Sequence, residues 1–493
     1  MAARTKENSF QLDENQQDRN LAQSYTAINI ASVNVYEFVD HSYNGTGGYR
    51  DGNYLIPFSR ESDYAGRRKL AFYKNYVKPI VRAMVEPVFV QSAVRTVTDD
   101  SGNSLENLFT SFIDNCDSAG THIQDFTHSA LSICRRHGVV FIVMDNYADQ
   151  PDNLKTAMDQ GIHPYVYLKK AQEVDSYECD RFGNIEWIVF IDSYIKRGDK
   201  TIVQYRKWTR TDSSLVEKKD NVWTVISSYT HNLGVVPVIV GYSDIQENNG
   251  NVLVDPPVYE IARINFGIFN MCSEVRDQER AQAFSILYAQ GLPANAMEIG
   301  PKNCIMIPLG ATIAPGYASP DFSIVTGLVE NQDKLKNDMF TIAEQLGVIA
   351  VMNSESGIAK NYDFFAHEST LKRTSYIATD LESKMAKLFM RYTNDSFVYT
   401  VIYKMDFSPM GLDREIDRIS KVLGTKDINK VFASKIQEKL AKLVLVDEDV
   451  DVVNEVIDAI KSSLKDSAMK PIVTSEENIT DMEVEDASEN LPA

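Results

Sequence analysis

Apolar residues recur at three- and four-residue steps through the second half of the chain. Val258, Ile261, Ile268, Cys272 and Val275 form one such stripe and predict a helix with a single buried face. If it runs unbroken from Pro257 to Gln290 it is about 50 Å long, at 1.5 Å per residue. Gly291, Pro293 and Gly300 break the pattern, and Cys304 to Gly310 and Thr312 to Gly316 then read as two short strands around a turn. A second helix follows, with Leu328, Leu335, Met339, Ile342 and Leu346 on one face. The polar stretch from Met352 to Asn361 holds a single glycine hinge, Gly357. A third helix runs from about His367 to Tyr392, with Leu371, Leu381, Met385, Leu388 and Phe389 inward.

The first half mixes the two periods. One helix is expected from Tyr64 to Met84, its stripe made by Leu70, Tyr73, Val77, Ile80, Val81 and Met84. Its outer residues Arg67, Arg68, Lys69, Lys74, Lys78 and Arg82 make it the most basic window of the chain. Another helix spans Asp125 to Arg136, and the apolar run Gly138 to Met144 is a buried strand ending at Asp145. Strand patterns follow at Tyr165–Leu168, Ile185–Ile191, Ile202–Thr209, Val222–Tyr229 and Val235–Val240, with a hairpin turn at Asp180–Asn184. This is an α+β region with a largely antiparallel sheet. Phe397 to Met405 alternates as a strand, and residues 412–464 read as helical. Residues 1–25 form a polar arm. From Thr474 to Ala493 seven acidic residues stand without one Lys or Arg, as in a disordered acidic tail.

With 493 residues, two to four packed regions are expected, and 44% hydrophobic content suits a folded protein. The formal charge of −19 argues against a chain that wraps phosphate by charge alone, because such binding rests on Lys and Arg releasing counterions. It does not conflict with a channel through which DNA slides. Five scattered cysteines with no Cys-x-x-Cys pair fit a reducing compartment. The amino-terminal residues lack the apolar core of a signal peptide, and no later run approaches the length of a membrane span, so a soluble intracellular protein is expected.

The search for chemistry returns little. The seven histidines form no His-Glu-x-x-His pair, and no calcium loop, nucleophile elbow, phosphate loop or dinucleotide fingerprint is present. Asn44 to Gly48 is glycine-rich but has no Lys-Ser/Thr pair after it. Asp145 and Asp192 end strands, as the carboxylates of a two-metal nuclease would, but strand-end anchoring explains them as well. No catalytic, cofactor or metal site is expected.

Four signals in fixed order carry a resemblance. They are Tyr64-Ala-Gly-Arg-Arg followed by the run from Tyr73 to Arg82 around Pro79, then a helix leading to Gly138–Asp145, then His231 to Val240 around Pro237, and last the helix, β tip, helix, loop, helix order from 257 to 394. From about Asp51 to Leu464 the pattern resembles the portal proteins of tailed double-stranded DNA bacteriophages. The resemblance implies an α/β wing at 26–256, a first stem helix at 257–290, a β clip at 291–322 and a second stem helix at 323–347. It further implies a tunnel loop at 348–363, a kinked helix and returning wing strand at 364–408, a helical crown at 409–465, and the acidic tail at 466–493. The implied assembly is a ring of about twelve subunits at one capsid vertex, a closed symmetric oligomer.

The implied site residues follow the same order. Met352, Asn353, Ser354, Glu355, Ser356, Lys360 and Asn361 would line the tunnel loop. Arg276, Asp277, Glu279 and Arg280 would form ion pairs between neighbouring subunits. Lys302, Asn303, Ile305 and Ile307 of the clip would meet the terminase large subunit and the head–tail connector. The other implied partners are double-stranded DNA, bound without sequence preference, and the major capsid protein, with no membrane. The location implied is the virion, and the host cytoplasm during assembly. Two other readings stay open at this stage: a metal-dependent nucleic-acid-processing enzyme using Asp145 and Asp192, and a ring-forming adaptor unrelated to packaging.

Overall fold

The computed structural model describes residues 34–58, 61, 63–147, 156, 161–197, 200–219, 222–244, 251–282, 286–290, 304–307, 316–318, 323–343, 357–407, 419–423, 430–444, 452 and 455–462. The chain divides into two compact units, 1–407 and 408–493. The first mixes helix and sheet. The described residues of the second are all helical, including α10 (Lys430–Val444).

In the first unit the chain opens with α1 (Val35–Asn44), α2 (Gly48–Asp51), α3 (Tyr64–Leu70) and α4 (Val77–Val85). Asn34 starts α1 by accepting the Tyr36 N–H at 2.9 Å. After strand β1 (Val94–Thr98) come α5 (Leu108–Asp114) and α6 (Ile123–His137), which ends at Gly138 in the left-handed region and passes directly into β2 (Val139–Asp145). All seven residues of β2 are buried, because both of its faces are covered. Val140, Ile142 and Met144 pack with Ala130, Leu131 and Cys134 of α6, while Val139, Phe141 and Val143 pack with Ile188, Phe190 and Trp208. A strand covered on both sides loses the alternation of a half-exposed one, hence the continuous apolar run.

Next come β3 (Tyr165–Lys169), β4 (Val174–Cys179), β5 (Ile185–Arg197), β6 (Lys200–Thr209), β7 (Asp212–Lys219), β8 (Val222–Thr230) and β9 (Val238–Tyr242). Strands β4 to β8 form an antiparallel meander, and β2 lies between β3 and β9 in a second antiparallel sheet. The turn between β4 and β5 is closed by Asp180, whose carboxylate accepts the N–H groups of Phe182 and Asn184 at 2.8 and 2.9 Å. The periodicity missed β1, β4 and β7. The sequence of β7, Asp-Ser-Ser-Leu-Val-Glu-Lys-Lys, carries too few apolar residues to mark it alone.

Then α7 (Tyr259–Gln282) leads to a tip of three short strands, β10 (Ile286–Gln290), β11 (Cys304–Ile307) and β12 (Gly316–Ala318), in the order β11-β10-β12. Helix α8 (Ser323–Ile342) returns, α9 (Gly357–Thr393) crosses the core, and β13 (Val398–Ile402) pairs antiparallel with β1.

Four expectations need correcting. The helix expected over Tyr64–Met84 is two helices joined by a non-helical link at residues 71–76. Buried Asn265 of α7 holds that link: its Oδ1 accepts from the Tyr76 N–H at 3.0 Å and the Tyr73 hydroxyl at 2.9 Å, and its Nδ2 donates to the Lys74 carbonyl at 2.8 Å. The split also puts Pro79 in the first turn of α4, where its missing N–H costs nothing; within one long helix it would break the ladder. The helix expected to reach Gln290 ends at Gln282, and Ile286–Gln290 becomes the central strand of the tip instead. Among the described residues the tip has three strands, not two, and the last of them lies at Gly316–Ala318. Finally, α9 starts ten residues before His367, at Gly357, so Lys360 and Asn361 are helical and not in a loop.

Polar residues hold this unit together at three buried points. The side chain of Glu382 on α9 is fully buried and meets Arg95 of β1 through two bonds of 2.8 and 3.0 Å. The Tyr399 hydroxyl donates to it at 2.7 Å, Thr127 of α6 at 3.3 Å, and Tyr403 completes the set. Burial, then the nearby Glu382 charge, pushes the Tyr399 and Tyr403 hydroxyls up from their ordinary values, so they stay donors. Asp40 of α1 accepts from Lys170 at 2.7 Å and His137 at 3.1 Å, with Arg136 at 3.6 Å. Burial opposes its charge, yet these three neighbours hold its carboxyl well below the usual range. Burial, with Arg136 and Lys170 adding to it, lowers the pKa of His137, which stays neutral. Arg67 of α3 bonds Glu61 at 2.6 and 2.8 Å, Ser273 of α7 at 2.8 Å and the Ile56 carbonyl at 2.7 Å.

Removing one partner of the buried pair leaves the other charge uncompensated, so Glu382→Ala should destabilise this unit by about 3–5 kcal/mol. Urea unfolding followed by tryptophan fluorescence measures it; a midpoint equal to that of the parent would contradict this account. A second expectation concerns pH. Burial lowers the pKa of His137, His163, His231 and His367 from the ordinary 6.5. The unfolded chain therefore takes up protons below pH 6.5 that the folded chain does not, and stability is full above that value and falls as pH drops through it. Melting at about pH 7.5, 6 and 5 should show a declining midpoint, and His137→Gln, which keeps a donor for Asp40 and does not titrate, should flatten the decline.

Candidate assembly surface

The α7–α8 pair is built differently from the rest of the first unit. Up to Val275, α7 lies in an aromatic-rich core with α1 to α4, where Ile261, Ala262, Ile268, Phe269 and Cys272 are buried. From Arg276 to Arg280 every residue is exposed. Helix α8 buries a stripe of Val325, Met339 and Ala343, with Leu328, Gln332, Leu335, Lys336 and Phe340 half-buried beside them, and most of its other described residues are exposed. Ile342, expected on that stripe, is 50% exposed; Ala343 takes its place.

All four residues expected to bridge subunits therefore stand on the outside of α7. Among the described residues, Arg276, Asp277, Glu279 and Arg280 have no ion-pair partner within the chain. Arg276 and Glu279 line a groove of about 270 Å³ whose other walls include Phe72, Lys74, Val329 and Asp333. Phe72 is 47% exposed and Val329 42%, so apolar surface accompanies the charges.

The other expected sites are placed less fully. Met352, Asn353, Ser354, Glu355 and Ser356 lie outside the described residues, as do Lys302 and Asn303. Lys360 and Asn361 belong to the first turns of α9. Ile305 and Ile307 sit in β11, opposite Tyr288 and Gln290 of β10 in a parallel register.

The carboxylates considered for a nuclease have structural partners. Asp145 accepts from the Tyr229 hydroxyl, from Tyr165 at 3.3 Å and from the Asn146 N–H at 2.7 Å. Asp192 is held by Arg206 at 2.9 Å. Among the described residues no group of three His, Cys, Asp or Glu is arranged to hold a metal ion. His122 accepts the Gln124 N–H and so caps α6. Burial pushes the Cys134 thiol up to about 12 and raises those of Cys116 and Cys272, which makes them poor nucleophiles. The glycine-rich loop has a packing cause too: a Cβ on Gly48 would lie 2.1 Å from the Tyr54 ring. Part of the basic window is likewise internal, since Arg67 is buried and Arg68 donates to the Asp51 carbonyl at 2.7 Å. No helix of the described residues is long and apolar enough to cross a membrane.

Sequence reasoning missed Glu382, Arg95 and Asp40. Glu382 had a readable signal: it falls on the stripe of Ala378, Leu381, Met385 and Phe389, where a carboxylate has to be matched by buried donors.

No family model matches the chain, and no curated protein matches it. Among solved structures, it is similar to a chain of the virion of a native gene transfer agent particle, with 11% identity and a TM-score of 0.39, over 82% of this chain and 99% of the other. It is also similar to a chain in the neck of an empty gene transfer agent particle, computed with C6 symmetry, with 10% identity and a TM-score of 0.40, over 78% and 95%. Similarity of this size leaves the function to be argued from the chain's own residues.

One outcome separates an assembly surface from a nuclease. Supercoiled plasmid incubated with the purified chain and Mg²⁺ or Mn²⁺ should stay intact. Metal-dependent nicking that disappears with Asp145→Asn would restore the enzyme reading.

Proposed function

We propose that the chain is the subunit of a portal-type ring, a virion component at one capsid vertex through whose central channel double-stranded DNA is packaged and later ejected. The observation that carries this reading is the exposed charge at Arg276, Asp277, Glu279 and Arg280, unpaired among the described residues, on a helix pair with a small sheet at its tip. Mixed charges left without partners inside one chain suit a neighbour bearing the same set, and a head-to-tail contact between unlike faces closes into a ring. The two gene transfer agent chains add no weight at their level of similarity.

On this reading α7 and α8 are the stem, the tip around β10, β11 and β12 is the clip, and residues 26–256 with β13 are the wing. The clip, with Lys302, Asn303, Ile305 and Ile307, receives the terminase and then the head–tail connector. Met352 to Ser356 form the loop toward the DNA, shortened by the early start of α9, with Lys360 and Asn361 at its helical end. The helical second unit is the crown. The net charge of −19 suits a channel wall that does not hold DNA fast. The chain performs no catalysis in this role and takes no cofactor.

Negative-stain electron microscopy with mass measurement in solution tests the proposal. The expected result is a ring with a central hole and a mass of about 670 kDa, twelve times 55.5 kDa. Arg276→Glu with Arg280→Glu should reduce the yield of rings severalfold while leaving the circular dichroism spectrum of the subunit unchanged. A compact dimer without a hole, or rings of normal yield from the double variant, would sink the stem assignment. Rings that associate with neither capsid protein nor terminase would favour an adaptor.

A further inference from the structure

Strand β9 is an edge strand, and a groove of about 660 Å³ lies along it. The backbone of β9 is oriented by two bonds to its only described neighbour: the Met144 N–H donates to Pro237 at 3.0 Å and the Ser243 N–H donates to Gly138 at 2.9 Å. In an antiparallel ladder the residues that bond a given neighbour alternate, so Ile239 and Gly241 also face β2. Val240 and Tyr242 therefore turn their N–H and C=O groups outward, toward the groove. Among the described residues no group takes them up.

The two walls of the groove differ in chemistry. Helix α9 comes very close to the strand at Gly241, where a Cβ would lie 2.7 Å from Leu381. Further along, α9 presents Lys384, Lys387 and Arg391, spaced by three and four residues and so on one face. The opposite wall is apolar, made by Val236, Val238 and Val252 with the ring of Tyr242. Asp180 is the one carboxylate among the described lining residues, and it sits 3.6 Å from Arg210. Lys384 has Asp380 at 2.7 Å. Lys387 and Arg391, both exposed, have no carboxylate within ion-pair reach among the described residues. In a chain of net charge −19, a pair of uncompensated cations beside an open strand edge runs against the overall balance.

We propose that this groove receives an extended strand of another protein, one whose residues alternate between acidic and apolar. Such a strand adds to the β9 edge through the outward groups of Val240 and Tyr242. Its successive side chains then point to opposite walls, acidic ones toward Lys387 and Arg391, apolar ones toward the valines. Nucleic acid fits less well: phosphate would meet the cations, but Tyr242 is the one aromatic among the described lining residues, so successive bases would have a single ring to stack on. The inference stands independently of the ring reading, because it concerns the core of the first unit and not the α7–α8 pair.

The test is fluorescence anisotropy on the full chain with a labelled peptide of five alternating Glu-Val pairs. Saturable binding that weakens with salt is expected. A peptide of the same composition in block order, five Glu and then five Val, should bind at least tenfold more weakly. Lys387→Glu with Arg391→Glu should also lose at least tenfold; both side chains are exposed, and circular dichroism checks that the fold is kept. Val240→Pro removes an outward N–H without touching the ladder to β2 and should have a similar effect. No saturable binding, or equal binding of the block peptide, overturns the proposal. So does a ten-nucleotide oligothymidine that binds more tightly than the alternating peptide and is lost on the same charge reversal, which would make the groove a polyanion site.

Discussion

The first unit is organised around one buried carboxylate. Glu382 has no exposed side-chain surface, and an ion taken out of water carries a penalty of several kcal/mol unless every lone pair finds a donor. Its donors come from α6, β1 and the β13 region. Arg95 and Tyr399 reach it only because β1 and β13 are paired, with Arg95 opposite Val401. A register slip of one residue would turn Arg95 or Tyr399, whichever strand slips, to the other face of the pair and leave Glu382 short of a donor in the core. One residue on α9 thereby ties the helix to a strand residue 287 positions away in the sequence.

Satisfied ions inside make the unsatisfied ones outside informative. Asp40, Glu61, Arg67, Arg95 and Glu382 all have close partners within the chain. Among the described residues Arg276, Asp277, Glu279 and Arg280 do not, and in isolation they cost nothing because water solvates them. An exposed pair contributes about 0–1 kcal/mol even when formed, so folding alone gives little reason for this arrangement. In the proposed ring, partial burial between subunits would raise the effective strength of each contact, and a mismatch of like charges would be costly enough to fix the register of neighbours.

Much of this was legible from periodicity. The stripe ending at Val275 marked where α7 leaves the core, and the charges after it marked the exposed turns. The apolar run Val139–Met144 gave the central strand. What escaped depended on partners distant in sequence. Residues 71–76 leave the helix because Asn265 binds their backbone, and only Pro79 hinted at a break. Ile286–Gln290 continues a helical register on paper, yet it gains two strand neighbours by leaving the helix. Strand β7 is drawn into the meander by pairing on both sides, not by its own composition. The same limit applies to the assembly surface. The charges at 276–280 could be read locally, whereas the groove they share with Phe72 and Asp333 needed the fold.

The shape of α8 bears on the kind of assembly. It packs against α7 along one stripe that runs from Val325 to Ala343, and that packing is what stabilises a helix of twenty residues. Val329 and Ile342 lie on opposite flanks of that stripe, at 42% and 50% exposure. A two-fold dimer places the same patch of both subunits together, which would cover one flank and leave the other wet. A head-to-tail ring brings a different neighbour to each side of the helix pair, so both flanks can be covered in every subunit. With the charges of α7 standing beside one flank, a repeated contact joining unlike faces accounts for both apolar flanks and for the unpaired ions, which a dimer does not.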